Sequence, residues 1–155
     1  MTTQHSTGRP LPRVDGAEKV TGSARYSADV EMPNALWGRV LRSPYPYARI
    51  IAIDTTQAAI LPGVHAVLTG VDVRGAMTGR RIFDIPLIAD DVVRFAGDIV
   101  AAVAADDREI AVRALALINV TYVELTPVFD PLEAAVAETN LLHPDFNTYT
   151  GAKPQ

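Results

Sequence analysis

The run Ile99-Val100-Ala101-Ala102-Val103-Ala104 is apolar at every position and lacks the alternation of a strand that faces water on one side. A strand that reads this way is covered on both faces, so the rest of the chain must supply structure above and below it. It is also far too short to cross a bilayer. The residues after it narrow the choice. Asp106 reads as an N-cap and Glu109, three residues on, completes a capping-box pattern. Ile110, Ala114, Leu117 and Ile118 recur at helical spacing, which predicts a helix over 107–118, ended by Asn119. Alternation around Val120 and Tyr122 predicts a strand over 120–125. Strand, helix and strand over 99–125 predict a right-handed crossover with the helix lying on the sheet.

The upstream half is punctuated by proline and glycine. Strands are expected at 36–42, with Trp37 turned into the core, and at the isoleucine-rich 48–54. Between them Ser43-Pro44-Tyr45-Pro46-Tyr47 contains two residues that cannot donate to a ladder, which predicts a stiff loop. Thr55 or Thr56 caps a short helix through Leu61, and Pro62-Gly63 stops it. A strand at 65–69, a long loop over 70–86 with a brief strand near 81–83, a short strand at 92–95 and a turn at 96–98 lead into the apolar run. Asp130, with Pro131 at the first helical position, opens a last short helix. At the ends, 1–13 reads as a flexible arm and 140–155 as a polar tail. Residues 14–34 read as an extended segment, and the domain proper as 14–139.

Composition removes several classes of function. A chain of 155 residues suits one domain. Cysteine is absent, which excludes disulfides, a thiol nucleophile and cysteine-held iron–sulfur clusters within this chain. Net charge is −4 with 14 Lys and Arg in no basic stripe, so no nucleic-acid partner is expected. The polar start, residues 1–8, has no apolar segment of a secretory signal. The expectation is a cytoplasmic protein that engages no membrane.

No catalytic set emerges from the residues. His5, His65 and His143 lie far apart, without metal-ligand spacing. Asp90-Asp91 and Asp106-Asp107 are adjacent pairs, whose side chains diverge; turn and cap roles account for them. Gly70, Gly75 and Gly79 match neither a P-loop nor a dinucleotide fingerprint. Lys19 reads as a solvated lysine. Arg42, Tyr45, Tyr47 and Arg49 surround the stiff loop, and this mixture suits either contact with a partner protein or a local packing cluster. They are the candidate partner contacts. No residue is assigned a catalytic, cofactor-binding or metal role.

Three stretches then carry a resemblance. RPLPRVDGAEKVTGSARYSADVEMP, LWGRVLRSPYPYARIIAIDTTQAAILPGVHAVLTGVD and PLIADDVVRFAGDIVAAVAADDREIAVRALALINVTYVELTPVFDPLEAA occur in that order over roughly residues 9–144. Together they resemble the start of the large subunit of the xanthine dehydrogenase and aldehyde oxidase family, the molybdenum hydroxylases. The resemblance implies an α+β fold, the α/β hammerhead, with a mixed β-sheet and packed helices, the main one near 107–118. It implies molybdopterin, iron–sulfur clusters and FAD in partner chains or further domains, none within this chain. It implies as partners the molybdenum-binding portion of the large subunit and an iron–sulfur subunit. The whole complex would hydroxylate an aldehyde or N-heterocycle carbon with water-derived oxygen, and this domain would serve assembly. A free-standing binding or regulatory module is the alternative. Two departures stand out: Tyr45 and Tyr47 occupy a loop where the family often has histidine, and Ile99 stands where many members have proline.

Overall fold

The structure is a computed structural model that describes residues 12–30, 32–80, 83–137 and 141–142. The expected arm over 1–13 and tail over 140–155 therefore lie almost wholly outside the described residues. The chain divides into two compact units, Met1–Asn34 and Ala35–Gln155.

The first unit is not the extended segment expected. Gly16–Thr21 forms a helix, α1, and Ser27–Asp29 a turn of 3-10 helix. Gly22 closes α1 at φ 72°, a left-handed conformation that costs glycine little. The freed carbonyl of Glu18 then accepts from the N–H groups of Ser23 (2.9 Å) and Ala24 (3.0 Å). Lys19 is exposed, as expected, and its Nζ lies 2.5 Å from the Asp15 carboxylate, one helical turn away. Lys19 and, after it, Arg13 hold the Asp15 carboxyl below the usual carboxylate range. Neither element buries a residue.

The second unit holds all the extended structure among the described residues. Its elements are β1 (Trp37–Arg42), β2 (Ala48–Asp54), α2 (Thr56–Ala59), β3 (Val64–Thr69), β4 (Met77–Thr78), β5 (Ile85–Pro86), β6 (Val92–Val93), β7 (Ile99–Ala105), α3 (Arg108–Ala116), β8 (Asn119–Glu124) and α4 (Pro131–Val136). The apolar run is the middle strand of a sheet ordered β1-β7-β3, with Val40 opposite Ala102 and Val67 opposite Val103. Ala101, Val103 and Ala105 share a buried cluster with Ala111, Ala114 and Ile118, so α3 lies directly on this strand. Val100 joins a second cluster with Ala48, Ala89 and Val93. Burial on both faces thus holds, less tightly at the half-buried Ala102 and Ala104. Leu41 and Val120 touch both clusters and join them into one core.

Four expectations need correction. The sheet is not mixed: three small sheets, β1-β7-β3, β6-β2-β8 and β4-β5, are antiparallel at every pairing among the described residues. The expected crossover is absent for the same reason. After α3 the chain enters β8 in the other sheet, beside β2, and the handedness rule governs only parallel strands of one sheet. The cap of α3 is Asp107, whose Oδ1 accepts from the Ile110 N–H at 2.7 Å; Asp106 instead meets His65 Nε2 at 2.6 Å. With the cap moved by one residue, Glu109 loses its capping-box position, and Ala111 takes the buried place assigned to Leu117. Finally, Trp37 is 52% exposed, because it opens an edge strand with a partner on one side only. The brief strands in the long loop are β4 and β5; Arg81 and Ile82 lie outside the described residues.

Candidate functional site

The stiff loop between β1 and β2 is tied to the turn that precedes β7. Ser43 N–H donates to the Asp98 carbonyl at 2.8 Å, and Gly97 N–H donates to the Ser43 carbonyl at 2.8 Å. Arg42 Nη1 adds a bond to the Gly97 carbonyl at 2.7 Å. The turn needs glycine here, since Gly97 sits at φ 97°. Ser43 and Asp98 are 3% and 5% exposed, and both are satisfied. Ser43 Oγ accepts from the Tyr45 N–H at 3.0 Å, while Asp98 Oδ2 accepts from the Arg94 N–H at 3.1 Å. This is a clamp of buried, paired polar groups, the arrangement that fixes a loop rather than leaving it slack.

Tyr45 turns inward from that loop. Its ring meets Tyr122 at 5.1 Å between centroids and 60° between planes, a tilted aromatic contact. Burial raises the Tyr122 hydroxyl above its usual pKa; hydrogen bonding with Ser43 opposes this, and the neighbouring Tyr45 and Asp98 add to it. Tyr47 points elsewhere. With Phe95 and Ala96 it lines an apolar groove of about 550 Å³, closed further along by Val128, Phe129 and Leu142. Arg94 is the one charged side chain among the described residues of its lining.

The four candidate contact residues therefore do not form one patch. Arg42 serves the clamp, Tyr45 packs on Tyr122, and Tyr47 enters the groove. Arg49 is exposed on β2, opposite Val92 and Val123. Sequence reasoning missed Arg94, Phe95 and Phe129. The signal for Phe129 was present: it directly precedes the cap Asp130, which accepts from Leu132 N–H at 2.7 Å, and it lines the groove together with Ala134. An apolar residue before a cap and another at the fourth helical position are the two positions of a hydrophobic staple.

The acidic pairs have structural partners. Asp90 binds Arg74 Nε at 2.8 Å, and Asp91 accepts from the Val92 N–H at 2.6 Å. Asp54 and Asp72 accept hydrogen bonds from Thr56 and Thr69, and these hold both carboxyls below the usual range. His65 and Asp106 meet with both side chains more than half exposed. Among the described residues no three His, Asp or Glu converge as metal ligands, and cysteine is absent from the chain. Among the described residues no helix is long and apolar enough to cross a membrane.

Known proteins resemble this chain along most of its length. Residues 21–126 match the family described as "Aldehyde oxidase and xanthine dehydrogenase, a/b hammerhead domain". A probable xanthine dehydrogenase subunit of Bacillus subtilis is 45% identical over 136 residues, covering 87% of this chain and 18% of that protein. The nicotinate dehydrogenase large molybdopterin subunit of Eubacterium barkeri is 36% identical, over 92% of this chain and 34% of that subunit. The crystal structure of quinoline 2-oxidoreductase from Pseudomonas putida 86 superimposes with a TM-score of 0.76 at 37% identity, over 86% of this chain and 18% of that one. The chain thus spans between about a fifth and a third of the length of these relatives.

Proposed function

This chain belongs to the aldehyde oxidase and xanthine dehydrogenase family through its a/b hammerhead domain, and from that premise we propose that it is the assembly portion of a molybdenum-dependent hydroxylase. The complex as a whole would hydroxylate an aldehyde or N-heterocycle carbon with oxygen drawn from water. The chemistry would be supplied by molybdopterin, iron–sulfur clusters and FAD, bound in the molybdenum-binding portion of the large subunit and in an iron–sulfur subunit. This chain docks between them in the cytoplasm. One observation carries the reading: a family domain aligned over most of this chain matches only a small part of much longer relatives.

What the residues themselves do in this role is hold shape. The bonds from Ser43 and Arg42 to the 97–98 turn fix two neighbouring loops to each other. Loops fixed in advance lose less freedom when a partner orders them, which favours binding. The test is affinity capture of the molybdenum-binding portion by this chain, with metal analysis of both. The expected result is a stoichiometric complex that contains molybdenum, while the chain alone contains none. A folded chain that leaves the molybdenum-binding portion uncaptured refutes the proposal.

A further inference from the structure

We draw no further inference here: the strongest candidate, the apolar groove lined by Tyr47, Phe95 and Phe129, carries nothing, because nothing in the structure shows what covers it.

Discussion

Asp106 and Asp107 are chemically identical neighbours with unrelated work. Asp107 satisfies an orphan N–H at the start of α3, whereas Asp106 faces His65 across the surface. Replacing the cap should cost about 1 kcal/mol. The exposed contact between Asp106 and His65 should contribute less. Urea unfolding of Asp107→Ala and Asp106→Ala should show this ordering, and the reverse ordering would return the cap to Asp106. Acid provides a second residue-scale test. Asp54 and Asp72 have carboxyls lowered by hydrogen bonds, chiefly from the Thr56 hydroxyl and the Thr69 N–H respectively. A lowered folded-state pKa stabilises fully above the unfolded value of about 3.9, and that stability is lost as pH falls through the folded value. The urea midpoint of the wild type should therefore fall between about pH 5 and pH 2, and an Asp54→Asn, Asp72→Asn double variant should fall less steeply. Parallel pH curves would contradict the assignment.

Elements differ in how far the residues announced them. The capped α4 was fully legible, because Asp130 and Pro131 act within their own turn. So were β2, β3 and β7, whose apolar content is local. Helix α1 was not legible from its interior, although Gly22 is the kind of stop that ends a helix. With no buried face to mark its period, only its two ends could have revealed it. The position of α3 was legible within a residue or two, but not how closely it sits on the sheet. That distance is set by Ala111 and Ala114, both wholly buried against β7. A larger side chain there must push the helix away, so Ala114→Leu should destabilise by about 1–3 kcal/mol. Val112→Leu, on the exposed side of the same helix, should change stability by less than about 0.5 kcal/mol. Chemical denaturation distinguishes the two, and equal effects would mean that α3 does not rest on its alanines.

For the molecule as a whole, every buried residue described lies between Ser43 and Ile118. Removing residues 1–34 takes none of that core away. The truncated chain should unfold cooperatively within a few degrees of the full chain, since a shift of about 1 kcal/mol moves the midpoint by about 2–8 °C. A collapse of the transition would place a structural support in the first unit. The candidate site shows the same division between near and far. Tyr47 could be nominated from its own loop. Its companions Phe95 and Phe129 stand 48 and 82 positions further along the chain, and no local pattern joins them.

What the sequence determined by itself is most elements of the second unit and the family. Caps, breakers and hydrophobic periods act over a few residues, and the three matched stretches keep their order along the chain. Which strand lies beside which was decided only in three dimensions. The path from β7 through α3 reads as a crossover until β8 is seen pairing with β2 in another sheet. Pairing is a choice among distant surfaces, and the one adopted packs the half-buried Leu41 and Val120 against both halves of the core. The groove follows from that choice, because folding alone brings together loops that the chain keeps far apart.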